Sequence, residues 1–183
     1  MSIISKPTPE VCGPYYSKKR YPSKHATDQL SQDIIHNKRG DAYASERIAE
    51  RMANDLQALA WDFGLIIPVP NHKSDQSDAK AQSLVRKVSG ILSIPYQNDA
   101  LVRFAKSDPY RKYHGVTERR EAAEKDYRIN NYILKNNNLI KDRNVLLIDD
   151  IITSGATIAV CRDLLYKNGA KIVYIFCAAE TMK

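Results

Sequence analysis

Two adjacent carboxylates, Asp149 and Asp150, end an apolar run, Val145-Leu146-Leu147-Ile148, and are followed within a few residues by Thr153-Ser154-Gly155-Ala156-Thr157. Adjacent acids can accept hydrogen bonds from vicinal hydroxyls. The segment after them offers backbone N–H groups and three hydroxyls where a helix begins, which suits a phosphate. Gly155 lets the backbone approach the anion because it has no Cβ. A carboxylate pair and a phosphate cradle this close together match a sugar phosphate. A bare mononucleotide site would not need the second acid. The competing reading is an ordinary strand–helix turn with an N-cap threonine.

The elements that must position these groups are legible from periodicity. Between Asp41 and Phe63 the apolar residues Ile48, Met52, Leu56, Leu59 and Phe63 recur at spacings of four, four, three and four, one face of an amphipathic helix. Leu65-Ile66-Ile67-Pro68-Val69-Pro70 is a short continuous apolar run, as expected of a strand covered on both faces. Ala81, Leu84, Val85, Val88, Ile91 and Leu92 predict a helix over 79–92, and Ala100–Phe104 reads as a second strand. Residues 105–126 are polar and charged, interrupted by Pro109 and Gly115, with a charged helix expected over 117–125 and no buried face before Tyr127. A segment of that length inside a domain is usually functional. Asn136-Asn137-Asn138 marks a turn before the strand at 145–148. A helix follows from Gly155 to Lys167 with Gly169 as its C′ residue, and 170–178 supplies a last strand. Alternating strands and helices predict a single α/β domain, a central, mainly parallel sheet flanked by helices. Residues 1–33 lack periodicity and are expected to form an irregular N-terminal arm, with the domain proper at 34–183.

Bulk properties narrow the function classes. A chain of 183 residues suits one domain with a real core. An apolar fraction of 43% and a charged fraction of 27% are ordinary for a soluble protein. No apolar run approaches the roughly 20 residues of a spanning helix, and the N-terminus lacks the h-region of a secretory signal. The expected location is therefore cytoplasmic, with no membrane partner. Cys12, Cys161 and Cys177 are too few and too scattered for a disulfide framework or a zinc pair. The net charge of +7 favours an anionic partner, either a polyanionic small molecule or a nucleic acid. Lys18-Lys19-Arg20 and Lys24 beside Tyr15, Tyr16 and Tyr21 could contact nucleic acid by stacking or could simply pack the arm onto the core.

The segment 145–157 resembles the 5-phosphoribosyl-1-pyrophosphate (PRPP) motif of the type I phosphoribosyltransferases, an apolar strand followed by two acids and a T-x-G-x-T loop. Asp149-Asp150-Ile151-Ile152-Thr153-Ser154-Gly155-Ala156-Thr157 is most similar to the ComF-like branch, with the orotate enzymes close behind. Ile34-Ile35-His36-Asn37-Lys38-Arg39-Gly40 resembles the ComF-like "hydrophobic-Lys-x-x-Gly" entry, and Ile67–His72 resembles the first strand and its pyrophosphate loop. Arg111–Val116 with Arg119-Arg120 falls where the flexible catalytic loop would be. The likeness extends over about residues 34–178. Three departures are plain. The N-terminal four-cysteine zinc module is reduced to Cys12. Asp75-Gln76-Ser77-Asp78-Ala79 stands where an Arg-Gly-Phe-Asn-Gln stretch is usual. Thr153 replaces the aspartate of the hypoxanthine-guanine enzymes.

The resemblance implies a Rossmann-like type I domain with a small hood, and transfer or exchange of a phosphoribosyl group to a nitrogenous base or amine with release of pyrophosphate. It implies catalytic roles for Asp149, Asp150, Lys112, Arg119 and Arg120. Substrate contacts would come from Thr153, Ser154, Gly155, Ala156 and Thr157 at the 5′-phosphate, and from Asn71, His72 and Lys73 at the pyrophosphate. Mg²⁺ would be held mainly through the substrate, with Asp149 and Asp150 as the candidate protein ligands. A homodimer is compatible with the resemblance. Two other classes stay open: a silent PRPP- or nucleotide-binding regulator, and a ComF-like protein associated with DNA uptake, nucleic acid or phage defence.

Overall fold

A computed structural model describes residues 8–70, 77–104, 115–135 and 139–183. In chain order, β1 (Glu10–Val11), β2 (Pro14–Tyr15), α1 (Pro22–Thr27), α2 (Gln29–Arg39) and α3 (Ala42–Leu59) lead to β3 (Leu65–Pro68). Next come α4 (Ser77–Leu92), β4 (Leu101–Arg103), α5 (Val116–Asp126), β5 (Tyr127–Ile129) and α6 (Asn131–Lys135). The chain closes with β6 (Asn144–Ile152), α7 (Ala156–Lys167) and β7 (Ile172–Thr181).

The central sheet follows from the continuous apolar runs. β6 lies between β3 and β7 and pairs with both in parallel, Ile67 opposite Leu147 and Ile148 opposite Phe176. Successive side chains of a strand point to opposite faces, and here both faces are covered. Val145 and Leu147 pack with Ile158, Cys161 and Leu165 of α7, whereas Leu146 and Ile148 pack with Ile34 of α2, Ile48 and Met52 of α3, and Val88 of α4. Full burial of side chains of this size contributes about 1.5–3 kcal/mol each. The α/β architecture with a parallel central sheet is therefore the one that its alternation of elements predicts.

Helix boundaries obey local chemistry. Asp41 caps α3 by accepting from the N–H groups of Tyr43 and Ala44 at 2.9 and 3.1 Å. Ile48, Met52 and Leu56 are buried as expected, but Leu59 is exposed and Phe63 lies beyond the helix. Ala60 adopts a left-handed conformation (φ 49°) that turns the chain, so Phe63 enters the core from a loop, beside Tyr174. At the other end of the molecule, Gly169 (φ 89°) follows α7 as expected, and Cα of Lys141 would lie 3.4 Å from a Cβ there.

Three expectations are corrected. The first 33 residues are not irregular where described: they form β1, β2, α1 and the start of α2, and the proposed boundary at 33/34 falls inside α2. Two-residue strands exist only because β7 offers an edge to pair with, Glu10 opposite Phe176 and Pro14 opposite Glu180. The core face of α2 rests on few apolar groups, chiefly Leu30 and Ile34, beside buried Asp33 ion-paired to Arg47 of α3, so its periodicity is faint. Second, the strand expected over 100–104 is not part of the parallel sheet. β4 pairs antiparallel with β5 in a separate ladder, Leu101 opposite Ile129. Third, α5 does bury a face before Tyr127, through Ala122, Ala123 and Asp126, because small residues need no large apolar stripe to pack closely against α7.

The basic arm is internally engaged. Tyr16 and Tyr21 meet edge to face with centroids 5.9 Å apart, and Lys24 Nζ lies 5.1 Å from the Tyr16 ring centre. The Tyr21 hydroxyl donates to the Lys183 carbonyl at 2.6 Å. Among the described residues, no helix is long and apolar enough to cross a membrane. The turn expected at 136–138 lies outside the described residues.

Candidate active site

β6 runs to Ile152 whereas β3 stops pairing at Pro68, so the last residues of β6 project past their neighbour at the C-terminal edge of the sheet. That edge is where open α/β sheets place ligands. A cleft of about 380 Å³ opens there, lined by residues 149–158 together with Val69, Pro70, Arg103, Arg119 and Tyr127. The size lies within the ~300–1,000 Å³ of small-molecule sites.

Strand alternation starts the two acids from opposite faces of β6, although their carboxyl groups remain close enough to interact. Asp149 continues the face of Val145 and Leu147, towards Tyr127 and Cys161, and Asp150 continues the face of Leu146 and Ile148, towards α2. The Asp150 backbone N–H donates to Asp149 Oδ1 at 2.8 Å. Burial pushes the Asp149 carboxyl well above the ordinary carboxylate range, and the neighbouring Asp150 charge pushes it further; the Asp150 N–H and Lys38 act in the opposite direction. Lys38, from the last turn of α2, places Nζ 3.1 Å from Asp150 Oδ2. The lysine is half-exposed, and such pairs contribute about 0–1 kcal/mol.

The raised Asp149 pKa has a consequence for stability. The native state holds this proton over a pH range in which the unfolded chain has lost it, so folding loses stability as pH rises from the ordinary carboxylate pKa through the elevated one. Asp149→Asn is expected to flatten that decline and to melt higher than wild type by a few degrees at neutral pH without ligand. Scanning calorimetry from pH 4 to 8 checks this, and parallel curves for the two proteins would contradict it.

The 153–157 loop is built by the entry into α7. Gly155 is the N-cap residue with φ 71°, a left-handed conformation that favours glycine. Lacking a side chain, it cannot cap α7, whose first-turn N–H groups lie at the positive end of the helix dipole, where an anion is favoured. Ser154 Oγ is 3.5 Å from the Ala156 N–H, and Thr153 Oγ1 is 2.9 Å from Thr181 Oγ1 at the end of β7. The loop is thus tied to two elements.

Opposite the loop, Arg103 and Asp126 form a buried ion pair at 2.6 Å, with side-chain exposures of 8% and 0%. The Arg103 guanidinium also lies 5.5 Å from the Tyr127 ring centre. Tyr127 closes this wall, its hydroxyl pKa pushed up to about 12 by burial and its oxygen 3.4 Å from the Pro70 carbonyl.

Of the sequence candidates, Asp149, Asp150, Thr153, Ser154, Gly155, Ala156, Thr157 and Arg119 line one cleft. Arg120 does not line it: the guanidinium pairs with Asp163 of α7 at 2.7 Å and Glu124 at 3.1 Å. Adjacent helix positions point about 100° apart, so Arg119 and Arg120 cannot both face the cleft. Asn71, His72, Lys73 and Lys112 lie outside the described residues. Sequence reasoning passed over Lys38, Arg103 and Tyr127 as site residues. The basic residue closing the 101–103 strand was a usable signal for Arg103, whereas nothing in local sequence links Lys38 to Asp150.

A parallel sheet whose central strand delivers two acids, and the loop that opens α7, to one cleft at its C-terminal edge defines an α/β fold with a single candidate site among the described residues. Residues 43–183 match the family described as phosphoribosyl transferase domain, and the chain belongs to the type I phosphoribosyltransferase family. Over 43 residues it is 35% identical to the DNA utilization protein YhgH of Escherichia coli (strain K12), a match covering 24% of this chain and 19% of YhgH, about a fifth of that protein's length. Among solved structures, a hypothetical protein from Neisseria gonorrhoeae with bound ppGpp shares the fold, with TM-score 0.52 and 15% identity over 76% of this chain and 69% of the other. A purine phosphoribosyltransferase from Pyrococcus horikoshii aligns with TM-score 0.46 and 21% identity, covering 75% of this chain and 74% of that one.

Proposed function

We propose that the protein binds PRPP with Mg²⁺ in this cleft and transfers its phosphoribosyl group to a nitrogenous base or amine, releasing pyrophosphate. The observation that carries the reading is the placement of Asp149, Asp150 and the 153–157 loop along one cleft at the sheet's C-terminal edge. The 5′-phosphate accepts from the loop hydroxyls and the first N–H groups of α7. The ribose 2′- and 3′-hydroxyls donate to Asp149 and Asp150. Asn71, His72 and Lys73, which follow β3 in sequence, would receive the pyrophosphate, and the acceptor would approach C1 from the opposite side of the sugar. The C1–O bond to pyrophosphate breaks as the C1–N bond forms, and the nitrogen's proton leaves to solvent. Arg119, which lines the cleft, would supply positive charge to the departing anion. The protein's contribution is positioning and electrostatic stabilisation of a cationic sugar between fixed anions.

The donor set fits a metal that travels with the substrate. One of the two acids already holds an ammonium, and among the described residues no group of three or more His, Cys, Asp or Glu could cage an ion. Mg²⁺ commonly keeps substrate and water oxygens as most of its ligands. When bound with the donor it supplies neutralisation of the pyrophosphate charge.

The test is a thermal-shift titration of the full chain followed by a pyrophosphate-release assay with a panel of bases and amines. Mg-PRPP at about a hundred times its Kd should add about 2.7 kcal/mol of stability. An unmoved melting curve would sink the reading. Stabilisation without pyrophosphate release from any acceptor would favour the silent regulator.

A further inference from the structure

Lys38 lies ahead of residues 43–183, the span that matches the family, yet it makes a direct ion pair with the acid pair of the site. Its position is set by packing rather than by chance. α2 is anchored on the core through Leu30 and Ile34, clamped to α3 by Asp33 and Arg47, and stopped by Gly40 in a left-handed conformation (φ 95°). A lysine in that last turn, one residue before α2 ends, therefore reaches the C-terminal tip of β6, on the face that Asp150 shares with Leu146 and Ile148.

We infer that Lys38 is a positioning residue of the donor site: it fixes Asp150 as an acceptor for a ribose hydroxyl and keeps free divalent cations off that carboxylate. A carboxylate has two oxygens, each able to accept hydrogen bonds. The ammonium engages Oδ2 at 3.1 Å and so fixes the plane in which the carboxylate offers its remaining acceptor capacity to a hydroxyl. A divalent cation bound directly to Asp150 would sit within a few ångströms of the ammonium and be repelled by it. The metal then enters with the donor's own oxygens rather than ahead of it. Asp149 feels the same ammonium without an ion pair of its own to it. The inference rests on the reading of Asp150 as a ribose ligand, and it extends the donor site to the N-terminal segment.

The experiment uses the full chain, with Lys38→Gln and Lys38→Arg as variants and thermal melts to confirm folding. Mn²⁺ alone, followed by electron paramagnetic resonance, reports free-cation binding, and calorimetry with Mg-PRPP reports the donor. Lys38→Gln should bind Mn²⁺ at least fivefold more tightly and Mg-PRPP about tenfold more weakly than wild type. Lys38→Arg, which keeps the charge, should stay near wild type in both. A purely structural lysine would not move the two affinities in opposite directions, and either one unchanged in Lys38→Gln overturns the inference. Wild-type protein that ignores Mg-PRPP strikes the functional reading instead, and the Mn²⁺ titration then decides alone whether Lys38 guards Asp150.

Discussion

Asp150→Asn is expected to lower affinity for Mg-PRPP by about 10- to 100-fold while shifting the melting temperature by no more than a few degrees. A hydrogen bond to a charged group contributes about 1.5–3 kcal/mol, and the amide removes that charge. It also offers an NH₂ donor that faces the Lys38 ammonium and a ribose hydroxyl, both of which need acceptors. The fold has little to lose, because the Asp150 side chain is 23% exposed and its partner is half in solvent. Calorimetry with Mg-PRPP and melts by circular dichroism measure the two halves. Unchanged affinity would remove the ribose role on which the site reading depends, whereas a collapse in melting temperature would make Asp150 a structural acid.

The second large effect concerns stability. Asp126→Ala should cost about 3–5 kcal/mol, because it leaves the Arg103 guanidinium buried without its carboxylate. For a chain of this size that corresponds to a melting temperature lower by roughly 6–20 °C. Replacing both partners, Arg103→Met with Asp126→Leu, should recover most of the loss, since the cost lies in stranding one charge rather than in lacking the pair. Urea denaturation of the three proteins tests this. A mild effect of Asp126→Ala alone would mean that water reaches the pair. The pair also joins β4 to the end of α5, and Phe104 N–H donates to the Asp126 carbonyl at 2.7 Å, so both groups of Asp126 hold the cleft wall together.

How much of this was legible in sequence depended on whether the cause was local. The segment from Val145 to Thr157 was legible because strand, acids, glycine and helix start follow one another in the chain, and each leaves a chemical mark. Ile48, Met52 and Leu56 were legible because a helix against a flat sheet repeats every turn. Leu59 and Phe63 were assigned to the same stripe although Ala60 turns the chain between them, and a non-glycine left-handed residue has no signature. β1 and β2 were invisible because their order comes from β7, more than 150 residues away. Lys38 was within a quoted motif, but only the packing of α2 brings it to Asp150. Arg119 and Arg120 looked equivalent in a line of text, and helical geometry separates them.

β7 has ten residues, with β6 along one side and both β1 and β2 along the other. Strand edges of that length with buried Val173, Ile175 and Cys177 are templates for pairing between molecules. The arm occupies the C-terminal part of this edge in parallel register, from Phe176 to Thr181, and ties itself down through Tyr21 to the Lys183 carbonyl. Its two short strands therefore protect colloidal behaviour as well as shape. A shortened chain that begins after residue 21 would present an open, sticky ribbon, and fusions at either end bear directly on the same seam.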